Sequence, residues 1–252
     1  MTTVENEDNT RFVFLTPAYN CKNEMKNTLF SFFAQSYENW RAVIIDDVST
    51  DGTGDYVKEL SEKCGFSDKI KVVTRKEKFG ETRNTVIEVE NIEDSEVVCR
   101  VDGGDWLTDN DCLYILNEIY KTHKPSVLWT NQRWDYTPQN ISGPIDLKEG
   151  MTVYDHPWVS SHMKTFRAEK LKRVPKKNFF DENGEWIIIA CDQAVFLPMM
   201  HMSSMMGEKM VHLGMTFYHY NIDLEKPDLF TCERSLNQKD SALSIRKRGF
   251  LH

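Results

Sequence analysis

The chain has 252 residues, of which 40% are hydrophobic and 12% aromatic, enough for one sizeable core. Its formal net charge of −8 argues against a nucleic-acid coat, which needs a basic surface. No run approaches the roughly 20 apolar residues of a membrane span, and the polar, acidic Met1–Thr10 reads as a frayed tail, neither signal peptide nor anchor.

In chain order, Arg11–Thr16 is an apolar run that predicts a buried strand, stopped by Pro17. Asn20 is positioned to cap a helix whose apolar Met25, Leu29 and Phe32 recur at helical spacing. Arg41–Asp46 predicts a second strand, and Asp46–Gly52 is a turn by composition. A helix with Val57, Leu60 and Cys64 inward leads to a third strand, Lys69–Thr74, and Gly80 opens a helix reaching about Ile92. Glu96–Val101 is a strand ending in Asp102-Gly-Gly-Asp105. Leu113, Leu116 and Tyr120 mark the next helix, and Ser126–Thr130 the next strand. This repeated alternation predicts an α/β fold, a mostly parallel sheet with helices on both faces.

The pattern weakens from 132 to 160, where Trp134, Tyr136, Tyr154 and Trp158 mix with Pro and Gly, and irregular strands and loops are expected. Arg167–Val174 and Ala190–Met206 read as helices, the second with a kink at Pro198. Met199, Met200, Met202, Met205 and Met206 read as adaptable core packing. Met210–Tyr220 is a last strand and Glu233–Gly249 a polar helix. Cys21, Cys64, Cys99, Cys112, Cys191 and Cys232 lack paired metal-ligand spacing and read as reduced residues, several in apolar runs, of a cytoplasmic protein.

Ligands of open α/β sheets bind at the carboxyl ends of the strands. Three such ends carry polar clusters: Thr16–Asn20, Asp46–Asp51 and Asp102–Asp105. Two close carboxylates repel unless a cation lies between them, so Asp102 and Asp105 read as a Mg²⁺ or Mn²⁺ site holding a diphosphate. Gly103 and Gly104 let the backbone approach a bulky ligand. An Asp-rich turn is the plainer alternative.

Five segments carry a resemblance in order and spacing: Leu15-Thr-Pro-Ala-Tyr-Asn20, Gln35-Ser-Tyr-Glu-Asn-Trp40, Ile45-Asp-Asp-Val-Ser-Thr-Asp-Gly-Thr53, Gly80-Glu-Thr-Arg-Asn84 and Val101-Asp-Gly-Gly-Asp-Trp-Leu107. Weaker echoes are Ser161–Arg167, Cys191-Asp192 and Phe217–Tyr220. Over roughly 11–222 the chain resembles a family 2 glycosyltransferase of the GT-A fold. The resemblance implies a Rossmann-like, mostly parallel central sheet flanked by helices, with a C-terminal acceptor-side region. Residues 1–10 would be a tail, 11–131 the nucleotide-sugar-binding half, 132–222 the acceptor-binding and catalytic half, and 223–252 a helical extension.

It also implies roles. Thr16, Pro17 and Tyr19 would belong to the donor site, with Pro17 and Tyr19 lining the base pocket. Asp47 would accept from the base imide, which suits a UDP-sugar, and Arg83 would reach base or phosphates. Asp102 and Asp105 would sit beside the divalent cation (Mn²⁺ or Mg²⁺), with His219 a further metal or diphosphate ligand, or simply a packed His. The family has Asp-x-Asp-Asp where this chain has Gly104 at the third position, which puts metal binding in question. The base would be Asp192, whose alternative is a helix cap. Cys191 in place of an acid would keep it ionised. Trp158 and His162 would contact the acceptor, a glycan or other hydroxyl acceptor. The basic stretch Lys164, Arg167, Lys170, Lys172, Arg173, Lys176 and Lys177 reads as a solvated face. With Arg246, Lys247 and Arg248 it could instead hold an anionic acceptor, and a modified nucleic-acid base is conceivable but not indicated.

The expected activity is inverting, metal-assisted sugar transfer from a nucleotide diphosphate to a hydroxyl. One alternative is a non-catalytic binding module that lost its metal ligand at Gly104. A sugar-nucleotide nucleotidyltransferase is disfavoured, because Thr16-Pro-Ala-Tyr-Asn lacks the Gly-rich loop with Arg and Lys that such enzymes carry.

Overall fold

The structure is a computed structural model that describes residues 9–135, 137–222 and 232–252. Most of the tail expected at 1–10 lies outside the described residues, as does 223–231 of the C-terminal extension. The chain runs β1 (Phe12–Ala18), α1 (Met25–Phe33), β2 (Trp40–Asp46), α2 (Thr53–Lys63), β3 (Ile70–Thr74), α3 (Glu81–Val89), β4 (Val97–Arg100) and β5 (Trp106–Leu107). It continues with α4 (Cys112–His123), β6 (Val127–Trp134), β7 (Lys164–Arg167), α5 (Ala168–Lys172), α6 (Cys191–Met205), β8 (Met210–Tyr220) and α7 (Cys232–Arg248).

One eight-stranded sheet spans both halves in the order β3-β2-β1-β4-β7-β6-β8-β5. β3, β2, β1 and β4 are parallel, as the alternation of strands and helices requires. β7 enters antiparallel between β4 and β6, and β8 runs parallel to β6. Strands buried on both faces explain the continuous apolar runs of the sequence. Val13 and Leu15 of β1 join Val43 and Ile45 of β2 in a core shared with α3 and α6. Phe12, Phe14, Ala42 and Ile44 face the opposite way, into a core shared with α1 and α4. Phe14 stacks on Phe32 of α1 with ring centroids 4.0 Å apart. Truncating such a fully buried ring to Ala costs about 3–5 kcal/mol.

Several expectations are corrected. Asn20 does not cap α1, which starts at Met25 with no side-chain cap. Its side-chain carbonyl instead accepts from the Thr50 N–H at 2.8 Å, tying the β1 and β2 loops together. β6 is longer than expected, and β5 and β7 were not foreseen: β5 is two residues long, and β7 holds a charged Lys at its start. Met199 and Met200 are core, but Met205 and Met206 are exposed, because α6 ends beyond the apolar layer. Cys21, Cys99, Cys112 and Cys191 are buried free thiols and Cys64 is half-buried.

The basic stretch is a solvated face only in part: Arg173, Lys176 and Lys177 are exposed, the others are not. Lys164 is fully buried, Lys170 pairs with Glu208 at 2.6 Å and Lys172 with Asp94 at 2.7 Å. Arg246 donates to the carbonyls of Tyr154 and His156, and Arg248 to those of Asn178 and Phe180. Both arginines thus fasten α7 to the domain rather than to an anionic acceptor.

Candidate active site

A cavity of about 480 Å³ opens where β1, β2 and β4 end. Pro17, Tyr19, Asp47, Asp102 and Asp105 line it together, with Lys78, Glu81 and Asn221. The gathering follows from the parallel sheet, which aligns the carboxyl ends of adjacent strands. Two glycines make the Asp102–Asp105 loop fit. A Cβ at Gly103 would come within 3.0 Å of the Pro17 carbonyl oxygen and the Cys21 Sγ. Gly104 has φ +103, a region that L side chains rarely adopt. An Asp at the third motif position therefore conflicts with this backbone.

Each carboxylate is held. Asp47 accepts the backbone N–H groups of Phe79 and Gly80 at 2.8 and 2.9 Å, so it also anchors the start of α3. The turn that follows Asp47 is strained, with Val48 at φ +67, as is common where a loop serves a ligand. Asp105 accepts from the Tyr218 hydroxyl at 2.6 Å and the Asn221 N–H at 2.9 Å. Burial and then the neighbouring Asp102 push its carboxyl well above the usual range. Asp102 pairs with Arg100 at 2.9 Å, and Arg100 also donates to Glu81 at 2.5 Å. Burial, reinforced by Asp102 and opposed by Arg100, pushes Glu81 up to about 7.

Asp102 and Asp105 are hard oxygen donors on one cavity. They fit a divalent cation that takes one or two carboxylates and completes its shell with substrate phosphates. No group of three metal-ligating side chains occurs among the described residues.

A second cavity, about 590 Å³, shares Glu81, Asp102 and Tyr220 with the first and is lined by His162 and Asp192. Asp192 lies in the first turn of α6, after Ala190 at φ +56. Its Oδ1 accepts from Lys164 Nζ at 2.6 Å, and its Oδ2 is 3.6 Å from His162 Nε2. Burial alone would raise the Asp192 carboxyl. The Lys164 ammonium overturns that and holds it well below the usual range. The carboxylate is ionised as expected, but the side-chain cause is Lys164, which the sequence placed elsewhere. His162 stacks on Tyr218 at 4.7 Å, and burial followed by Lys164 pulls it down to about 4, so it is neutral.

Other expected residues stand apart. Thr16 is fully buried and lines neither cavity. Arg83 lies on the Phe79 ring, 3.5 Å from its centroid, near Glu77. The cation in the donor cavity is instead Lys78, laid over the Tyr19 ring. His219 is no metal ligand in this arrangement: one ring nitrogen pairs with Asp135, the other with Arg133 Nε at 3.1 Å, and the ring stacks on Trp106. The Trp158 ring centroid lies 5.9 Å from the Lys164 ammonium, and the side chain does not line the second cavity. Arg100, Lys164 and Tyr218 were missed. A charge inside an apolar strand demands a buried partner, and that signal was available for Arg100 and Lys164.

The model of glycosyl transferase family 2 matches residues 13–182. The chain belongs to glycosyl transferase family 2. EpsE of Bacillus subtilis (strain 168), named as a glycosyltransferase, is 38% identical over 58 residues, 23% of this chain and 20% of EpsE. The crystal structure of S. aureus TarS 1–349 in complex with UDP aligns at a TM-score of 0.65 and 18% identity, over 96% of this chain and 67% of that one. Another TarS 1–349 structure aligns at 0.64 and 20% identity, over 84% of this chain and 60% of that one. The mannosyltransferase PcManGT of Pyrobaculum calidifontis, in complex with GDP-Man and Mn²⁺, aligns at 0.65 and 13% identity, over 96% of this chain and 66% of that one. At these identities the likeness to solved structures is one of fold, the GT-A fold expected. The matched part of this chain spans 20% of the length of EpsE and 29% of that of TuaG, a teichuronic acid biosynthesis glycosyltransferase by name, also of Bacillus subtilis (strain 168).

Proposed function

We propose that this glycosyltransferase moves a sugar from a UDP-sugar to a hydroxyl of a glycan acceptor, with inversion, in the cytoplasm. The observation that carries it is the continuity of the two cavities, nucleotide-type residues on one side and an ionised carboxylate on the other, meeting at Glu81, Asp102 and Tyr220. The TarS complex with UDP supports the donor class. No helix among the described residues is long and apolar enough to cross a membrane.

Tyr19 offers a ring beside the base position, and Asp47 a carboxylate to the base imide, its geometry fixed by two backbone N–H donors. Asp102 and Asp105 would hold the divalent cation, which offsets charge on the leaving diphosphate. Asp192 accepts the acceptor hydroxyl's proton as the hydroxyl attacks the anomeric carbon. Lys164 fixes its orientation through Oδ1 and leaves Oδ2 toward the cavity side shared with His162. Neutral His162 adds no charge that would compete for that carboxylate.

A second reading, donor binding without transfer, is favoured by the tight Lys164 pair, which makes Asp192 a weak base. Thermal shifts with UDP, GDP, CDP and ADP, each with Mn²⁺, Mg²⁺ or EDTA, test the donor class, because a ligand of the folded state alone raises the Tm by mass action. A shift specific to UDP supports the proposal, and release of the sugar from bound donor separates an enzyme from a binding module. No shift with UDP overturns it.

A further inference from the structure

The acceptor-side cavity does not end at Asp192. A third cavity, about 350 Å³, shares Ile188 and Ile189 with the second and continues between the 181–189 loop and α7. Its walls differ in chemistry. The loop wall carries polar Asp181, Glu182 and Asn183 at one end and an apolar stretch along the rest: Ile188 and Ile189 are exposed at 68% and 40%, and Trp186 packs on Phe180 while still lining the groove.

The α7 wall is polar. The helix is rich in charge, yet Asn237, Gln238, Ser241 and Ser244, with the buried Ile245, are what it turns to the two cavities between Glu233 and Arg248. The Ser241 hydroxyl donates to the Ile189 carbonyl at 2.9 Å, which sets the width of the groove. Two of the three charges at the far end are already used. Asp181 accepts two backbone N–H groups, and Arg248 donates to two carbonyls.

An apolar, partly aromatic stretch facing a wall of amides and hydroxyls suits sugar rings, which present C–H faces and hydroxyl edges at once. We infer that this groove binds the sugars behind the reactive end of an uncharged oligosaccharide acceptor, so that the acceptor is a chain of at least three sugars rather than a monosaccharide or a nucleobase. The inference rests on the donor and acceptor assignment above. Sugar one lies beside Asp192, and the following sugars lie on Ile188, Ile189 and Trp186.

The test uses the full chain with UDP and Mn²⁺ on an array of mono- to hexasaccharides of glucose, galactose, N-acetylglucosamine and N-acetylgalactosamine. At least one series is expected to gain tenfold or more in affinity from one to three sugars. Ser244→Trp places a bulky ring in the groove from an exposed helix position and is expected to cut that gain to under twofold. Trp186→Ala does the same by removing the platform, with circular dichroism and the melting transition verifying the fold of both. Equal affinity for one and three sugars, no glycan retained, or a length gain untouched by Ser244→Trp overturns the inference. UDP titration is read separately. UDP binding without a length gain removes the groove alone, and no UDP binding removes the donor assignment as well.

Discussion

The two sides of the cleft hold their carboxylates by different means. On the donor side, Asp47 and Asp105 accept backbone N–H groups and a tyrosine hydroxyl, neutral donors that fix position. On the acceptor side, Asp192 is neutralised by a fully buried ammonium within the protein. The donor side is therefore positioned mainly by neutral donors, with Arg100 beside Asp102 and Lys78 in the cavity. The acceptor side carries its own counter-charge and awaits only a neutral hydroxyl.

The largest expected effect tests the acceptor side. Asp192→Asn removes the proton acceptor and should lower sugar transfer by about 10²–10⁴-fold, with UDP affinity unchanged by calorimetry. Transfer at the original rate would place the base elsewhere.

Lys164→Met should cost about 3–5 kcal/mol in urea unfolding, because it leaves Asp192 as an uncompensated charge in a partly buried site. Restoration of stability in Lys164→Met with Asp192→Asn would show that the lost charge pair, not lost packing, is the cause.

His162 gives a pH dependence of defined sign. It is held neutral in the fold at about 4, against 6.5 unfolded. As pH falls from about 6.5 to 4, the unfolded state takes up a proton that the fold refuses, and stability falls by about 3 kcal/mol. His162→Asn should lose that much less between pH 7 and 4. Parallel acid slopes for the two proteins would contradict the burial account.

The donor side gives smaller effects. Asp47→Asn weakens two charge-assisted bonds and the contact to the base, and UDP affinity should fall about tenfold or more. Arg83→Ala should leave UDP affinity unchanged and stability within about 0.5 kcal/mol, because its guanidinium lies on Phe79 at the surface. A large loss of UDP affinity in Arg83→Ala would mean that this arginine swings into the cavity when donor binds.

The same contrast explains what was legible in the sequence. Tyr19, Asp47, Asp102 and Asp105 sit in short contiguous motifs just after apolar strands, and a parallel sheet brings strand ends together without further information. The acceptor side is assembled from β7, α6, β8 and α7, whose neighbourhood depends on an antiparallel insertion that periodicity does not encode. Lys164 shows the difficulty. Read along the chain it heads a basic run, and only the pairing of β7 beside β4 turns it inward to Asp192. His219 and Arg83 show the reverse: plausible by residue type, they are taken by Asp135 and Arg133 in one case and by Phe79 in the other.

The central claim is that Asp47 and the Asp102–Asp105 loop form a donor site distinct from Asp192. Calorimetric titration of UDP in Mn²⁺ into the original chain, Asp102→Ala and Asp192→Asn tests it most directly. The account predicts binding by the original chain and by Asp192→Asn, and binding weakened tenfold or more by Asp102→Ala. Equal affinity in all three, or loss in Asp192→Asn alone, would contradict it.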